Sequence, residues 1–261
     1  MKVLFMGRKP VAAEALEFLL QKEQINVVGV LTDSHLSISP TSDVASHYGI
    51  PLYEFSEALS LMKQGALEFD FGISMLYWRK LKEEFLTLPK LGIINFHPAP
   101  LPDFKGTAGY NMAILKGLDK WAVTAHYIDE EIDSGGIVEV SSFSIDPDNE
   151  TAKSLEKTSQ PMLLNLFKRV INTVTEQKAL LPVTPNSGGC YISRSEMEAL
   201  KEVKDGDDVS RKIRAFWFPP YDGAYAIVNG IKCTLIDHNI LQQLADPDSS
   251  NLFTQPTNIK C

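Results

Sequence analysis

The sequence predicts an α/β protein: a Rossmann-like, mostly parallel sheet with a small C-terminal β-rich appendage. Three observations predict it. Residues 3–6 are a continuous apolar run, as expected of a strand buried on both faces. Ala12, Ala13, Leu16, Leu19 and Leu20 then recur at helical spacing, and residues 25–31 form a second apolar run. Strand, helix and strand in that order imply a right-handed βαβ crossover and a parallel sheet. Near the other end, residues 224–228, Asn229-Gly230 and residues 231–236 give a hairpin signal, with Asn-Gly suited to a type I′ turn.

The first strand ends at Gly7, and Pro10 sits at the start of the helical pattern, a position proline favours. Gly7-Arg8-Lys9-Pro10 is not a Gly-x-Gly-x-x-Gly fingerprint, and no P-loop pattern occurs, so the sheet carries no recognisable dinucleotide or P-loop site. Arg8 and Lys9 stand just past a strand's C-terminal end, where open α/β sheets place ligands. They suit an anion there, or are two solvated cations in a turn. Residues 32–40 read as a polar loop, 43–47 and 56–62 as short helices, and 69–75 as a further strand. That strand leads into Leu76-Tyr77-Trp78-Arg79-Lys80-Leu81, an aromatic and basic mixture that lines a ligand slot or simply packs.

Residues 93–95 are the next strand. After Pro102 a loop over 103–109 precedes a helix carrying Met112, Ile114 and Leu115. Residues 123–128 alternate as a strand, an acidic, Gly-containing loop covers 129–136, and residues 137–145 form another strand. The paired glycines of that loop would relieve steric limits where Asp133 turns inward. A helix over about 151–177 has an apolar face including Leu163, Leu166, Phe167, Val170 and Ile171, with a kink or a new start expected at Pro161. Residues 181–189 have linker composition, which divides the chain into an N-terminal domain, 1–182, and a small C-terminal domain, 183–261. Beyond it come a short helix over 207–217, a turn at 218–223 and the hairpin. From about Ala245 the sequence is polar and expected to be loosely ordered.

The whole chain sets limits on function. Its 261 residues, 44% hydrophobic and 22% charged, are ordinary for a globular protein. A net charge of −8 weighs against a polyanion as main partner, since nucleic-acid binding usually needs a basic face. Small anions remain compatible with a few local cations. Cys190, Cys233 and Cys261 are odd in number and far apart, without a C-x-x-C pair, as expected of thiols in a reducing compartment. No apolar run reaches the roughly 18 residues of a membrane span. The expected location is cytoplasmic, with no membrane partner.

One stretch concentrates chemistry: Ile93-Ile94-Asn95-Phe96-His97-Pro98-Ala99-Pro100-Leu101-Pro102. Residues two apart in a strand share a face, so Asn95 and His97 project together and Phe96 to the opposite side. A hydrogen-bond donor beside a group that carries protons near neutral pH is a start of an active site, or a strand end with polar residues facing water. A metal hydrolase using His97, His126 and a carboxylate is disfavoured, because no H-x-x-x-H or H-E-x-x-H spacing supports it.

Asn95-Phe96-His97-Pro98, followed by Leu101-Pro102, Lys105-Gly106, Tyr127-Ile128-Asp129 and Asp133-Ser134-Gly135-Gly136-Ile137, resembles the folate-dependent formyltransferase family over roughly residues 1–180. The resemblance implies the formyltransferase fold, a catalytic triad of Asn95, His97 and Asp133, and N10-formyltetrahydrofolate as formyl donor, with no metal. It also implies a folate pocket built largely from main chain at Met75, Leu76, Tyr77, Ile128, Asp129, Glu130 and Ile132. The residue types suit the chemistry. An amide and an imidazole can stabilise an oxyanion, an imidazole can accept the proton of an attacking amine, and a carboxylate can orient it or take the proton itself.

The acceptor is narrowed by four family activities. Gly7-Arg8-Lys9-Pro10 does not resemble the phosphate-cradling loop of glycinamide-ribonucleotide formyltransferases. Methionyl-tRNA formyltransferases carry a basic C-terminal domain, whereas residues 186–261 hold eight Lys and Arg against ten Asp and Glu. Formyltetrahydrofolate hydrolases usually carry an N-terminal regulatory domain, and here the chain opens on its catalytic sheet. Arg214-Ala215-Phe216-Trp217-Phe218-Pro219-Pro220-Tyr221 and the small β appendage resemble nucleotide-sugar N-formyltransferases. The expected acceptor is therefore a nucleotide-linked amino sugar, with dTDP as carrier, for a surface glycan such as lipopolysaccharide. Arg8, Lys9, Arg79 and Lys105 are the candidate diphosphate partners, and Trp217 and Tyr221 the candidate base-stacking surfaces. A methionyl-tRNA formyltransferase and a catalytically idle folate-binding protein are the alternatives. The hairpin's edge strands suggest a homodimer.

Overall fold

The computed structural model describes residues 1–33, 36 and 39–244. The expected loose tail from Ala245, and with it Cys261, lies outside the described residues, as do four positions of the expected 32–40 loop. Six strands form one sheet: β1 (Lys2–Gly7), β2 (Asn26–Leu31), β3 (Phe71–Met75), β4 (Ile93–His97), β6 (Lys120–Tyr127) and β7 (Ile137–Ser144). Their order is β2-β1-β3-β4-β6-β7. The first four are parallel, and β6 and β7 add antiparallel edges. Alternation along β1 explains both faces. Val3 and Phe5 pack under α1 (Lys9–Leu20) and α6 (Ala152–Gln177), beside which lies α2 (Pro40–His47). Leu4 and Met6 pack on the opposite side with Ala58 and Met62 of α3 (Phe55–Lys63) and Phe85 of α4 (Glu83–Thr87).

The register of the central strands sets the site. Ser74 stands opposite Asn95, and Asn95 opposite His126, so three polar side chains share one face of three adjacent strands. Phe96 is fully buried on the other face, edge-on to Phe167 of α6, as the period of two requires.

Helix α6 runs continuously through Pro161, so of the kink or new start expected there no new helix begins. Pro161 and Lys157, whose carbonyl loses its usual partner, are both exposed, so water can serve the carbonyl. The helix begins at a capping box in which Thr151 accepts from the Ser154 amide.

The expected 103–109 loop contains strand β5 (Phe104–Gly106) before α5 (Gly109–Leu115), and β5 pairs in parallel with β8 (Cys190–Ile192). Residues 181–189 are not free linker. Thr184 bridges to Ile137, and a Cβ at Gly189 would fall 1.6 Å from the Pro102 carbonyl oxygen. After β8 come α7 (Arg194–Ala199), α8 (Val209–Phe216) and the hairpin of β9 (Tyr225–Val228) and β10 (Ile231–Thr234), followed by α9 (His238–Leu244). Both hairpin turn residues have positive φ, 50° at Asn229 and 79° at Gly230, as a type I′ turn demands. Helix α8 joins the N-terminal part through Asn111, whose Nδ2 donates to the Ala215 carbonyl at 2.7 Å, and Arg214, which donates to the carbonyls of Pro147 and Glu150.

Candidate active site

Asn95, His97 and Asp133 converge. Asn95 and His97 end β4, and Asp133 arrives on the loop after β6. Its backbone is left-handed, with φ of 52°, which a non-glycine residue adopts rarely. Two glycines make that loop possible. A Cβ at Gly135 would lie 2.1 Å from the Tyr127 carbonyl oxygen, and one at Gly136 would meet Val183 at 2.8 Å.

The hydrogen bonds assign roles to individual atoms. Ser74 Oγ donates to Asn95 Oδ1 at 2.8 Å, so the Asn95 amide presents Nδ2 on its other side. One Nδ2 proton points to His126 Nε2 at 3.1 Å, and the ring's Nδ1–H donates to the Tyr127 carbonyl at 2.7 Å, a tautomer that leaves Nε2 as acceptor. His97 Nε2–H donates to the Phe104 carbonyl at 3.0 Å. That leaves Nδ1 as the basic atom of neutral His97, 3.6 Å from Asp133 Oδ2. The same Oδ2 accepts from the Gly106 amide at 2.9 Å, while Oδ1 lies 3.5 Å from His126 Nε2.

Burial depresses the ionisation of His97. Asp133 and the Phe104 carbonyl oppose that shift, and His126 adds to it, so the imidazole is neutral near pH 7. Burial also works to raise Asp133, but His97, His126 and the Gly106 amide outweigh it and hold the carboxyl down at about 2. A neutral base thus faces a fixed carboxylate that will stabilise the base once protonated.

Asn95 and Asp133 open on a cleft of about 130 Å³, and His97 lies buried behind them, outside its lining. The lining includes Ser74, Asn95, His126 and Asp133 at the polar end and Tyr77, Trp78, Leu81, Ile128 and Ile132 along apolar walls. Of the expected folate residues, Tyr77, Ile128, Asp129 and Ile132 line it. Met75 is fully buried and Leu76 packs on the core, which leaves those two with main chain to offer, and Glu130 is not part of the lining. Desolvation pushes the Tyr77 hydroxyl up to about 12, so it stays protonated and able to donate.

The candidate acceptor residues divide. Arg79 lines the cleft, its guanidinium 4.6 Å from the Trp78 ring centroid, and Lys105 sits on β5 between the two residues that hold His97 and Asp133. Arg8 and Lys9 do not line the cleft. Arg8 Nε lies 3.4 Å from buried Asp33, and Lys9 is paired with Glu156. Trp217 packs against the α5/α8 cluster, and Tyr221 stands exposed beside Phe218, both outside the cleft lining. His126, Ser74 and the backbone of β5 were not assigned to this site by the sequence. The alternating strand at 123–128 signalled that His126 has a sheet face, but only the antiparallel register puts it beside Asn95.

A family profile described as formyl transferase matches residues 1–171. The chain belongs to the formyl transferase family. Among this formyltransferase's relatives, the methionyl-tRNA formyltransferase of Thermotoga maritima is 30% identical over 266 residues, covering 94% of this chain and 82% of its own length. That of Nitrosomonas eutropha is 29% identical over 257 residues, covering 93% and 80%. Similar folds include a 4-N formyltransferase from Francisella tularensis, with TM-score 0.74 and 20% identity over 90% of this chain and 96% of that one. Another is the Helicobacter canadensis N-formyltransferase solved with folinic acid and dTDP-3-aminofucose, with TM-score 0.69 and 23% identity over 89% and 86%.

Proposed function

We propose that the protein transfers a formyl group from N10-formyltetrahydrofolate to the amine of a nucleotide-linked amino sugar, with dTDP as the carrier. The observation that carries the reaction is the pairing of a buried neutral imidazole with a fixed carboxylate beside an amide that is held at both ends. The donor supplies an activated formyl carbon. Asn95 Nδ2 keeps one proton free of His126 and offers it to negative charge developing on the formyl oxygen. His97 Nδ1 takes the proton lost by the attacking amine, and Asp133 stabilises the imidazolium until the proton passes to the departing nitrogen. The apolar walls at Tyr77, Trp78, Ile128 and Ile132, ending in polar groups, suit a flat heterocycle with polar edges.

Arg79 and Lys105 are the diphosphate partners best supported by position. In this reading Lys9 contributes only after Glu156 yields it, and Tyr221 is the base-stacking candidate with a free face. In this reading the protein acts in the cytoplasm on precursors of a surface glycan such as lipopolysaccharide and pairs with a second copy at the hairpin, where Ile227, Val228 and Ile231 are exposed. The sequence relatives favour a second reading, formylation of initiator methionyl-tRNA. The net −2 of residues 186–261 weighs against it.

The test is to incubate the enzyme and 10-formyltetrahydrofolate with a panel of dTDP-linked amino sugars, including dTDP-3-aminofucose, and with initiator methionyl-tRNA. Mass gain of one formyl group on a sugar nucleotide supports the proposal. Formylation of the tRNA and of no sugar replaces it with the second reading.

A further inference from the structure

Residues 184–192 have a turn-like composition, yet they grip the catalytic loop at several points. Thr184 exchanges both backbone hydrogen bonds with Ile137, at 3.0 and 2.8 Å. Asn186 Nδ2 donates to the carbonyl of Asp133 at 3.0 Å and to that of Gly135 at 2.8 Å. The Cys190 amide donates to the Asp103 carbonyl, and β8 then runs beside β5. Strand β5 carries both backbone groups that hold the catalytic pair, the Phe104 carbonyl on His97 and the Gly106 amide on Asp133.

We propose that Asn186 is a positioning residue for Asp133. By bridging the carbonyls of residues 133 and 135 it holds the carboxylate against His97 and His126, so residues 184–192 belong to the catalytic unit. The inference rests on the reading of Asp133 as the partner of His97 in formyl transfer.

The chemistry of the side chain is specific. Two carbonyl oxygens need two N–H donors from one short group, which a primary amide supplies and a serine hydroxyl supplies only once. Asn186 Oδ1 is buried without a hydrogen-bond partner, so the side chain is held by its donated bonds. What it holds is a non-glycine residue at φ of 52°, a conformation that persists only where its surroundings over-determine it. Gly135 is pressed against the Tyr127 carbonyl on one side and tethered by Asn186 on the other. Loss of the tether lets the turn relax outward and carries the carboxylate away from the Gly106 amide.

That amide is the readout. With ¹⁵N-glycine labelling the chain's 16 glycines give a small, assignable set of signals. In Asn186→Ala, the Gly106 amide proton shifts upfield and its hydrogen exchange accelerates by ~10-fold or more. The Kd for folinic acid stays within about threefold, because the tether reaches the cleft lining only at Asp133 and touches none of the apolar walls. Asn186→Ser, with one donor, falls between. In turnover, kcat drops while the KM for 10-formyltetrahydrofolate is retained.

An unchanged Gly106 amide in both variants overturns the proposal. So does loss of folinic acid binding together with a collapsed spectrum in both, which would make Asn186 a folding residue. A Gly106 response alongside an Asp133→Asn enzyme that still transfers formyl at the wild-type rate upholds the tether and removes only the catalytic reading of Asp133.

Discussion

An imidazole with 6% of its surface exposed resists taking a proton, and His97 ionises below its ordinary value of 6.5 for that reason first. A base must be neutral to act, so this depression keeps His97 competent below pH 6.5. The acid limb of kcat/KM against pH is therefore expected below 6.5, and a limb at or above 7 would contradict the assignment. Asn95→Ala and His97→Asn are each expected to lower turnover by about 10²–10⁴ with the fold retained. Near-normal turnover in either would remove that residue from the mechanism. The same depression has a stability consequence. The folded-state value of His97 lies below the unfolded one, so its contribution is complete above pH 6.5 and is lost as pH falls through the folded value. Asp133, held at about 2 against an unfolded 3.8, behaves likewise, but its window lies between about 4 and 2. Between pH 7 and 5 it is His97 rather than Asp133 that acts, costing at most about 2 kcal/mol. Thermal melting should therefore show a smaller fall in Tm from pH 7 to 5 for His97→Asn than for wild type. An equal fall would show that the ionisation of His97 does not differ between the folded and unfolded states.

The loop between β6 and β7 shows which glycines are required. Gly135→Ala drives a Cβ toward the Tyr127 carbonyl, a strand backbone that cannot yield, and is expected to cost about 1–3 kcal/mol and to displace Asp133. Gly188→Ala meets nothing within 4 Å, and its φ of 82° alone should cost about 1 kcal/mol without loss of activity. Denaturant titration with a turnover assay separates the two, and equal effects would refute the steric argument. The contrast also marks what was legible beforehand. Strands of four to eight residues announced themselves by apolar runs or alternation, and the period of two placed Asn95 and His97 on one face without a structure. Strands β5 and β8 have three residues each, too few to show a period, and their partners lie far apart in sequence. The acidic, Gly-containing loop drew notice to Asp133, but its catalytic role was reached only through the family resemblance. His126 depended on an antiparallel register, and Asn186 sat in a stretch whose prolines and glycines read as linker.

At the scale of the molecule, the question is whether the parts before and after the 181–189 segment unfold as one. Helix α8 packs on α5, and its Arg214, 9% exposed, sends Nη1 to the carbonyls of Pro147 and Glu150 just ahead of α6. Asn111 reaches the other way, from α5 to the Ala215 carbonyl at the end of α8. Strand β8 pairs with β5, and β5 carries the backbone groups that hold His97 and Asp133. Separating the two parts would therefore strip hydrogen bonds from buried polar groups on both sides and loosen the site as well. One cooperative thermal transition is expected. Arg214→Ala, which leaves two carbonyls short of a donor and removes a buried side chain, should lower that transition by about 2–4 kcal/mol of stability without splitting it. Calorimetry resolving two transitions in the wild type, or a second one in the variant while the first stays fixed, would show that the catalytic sheet is stable without the C-terminal elements. In that case its geometry would have to be set by residues before 181 alone.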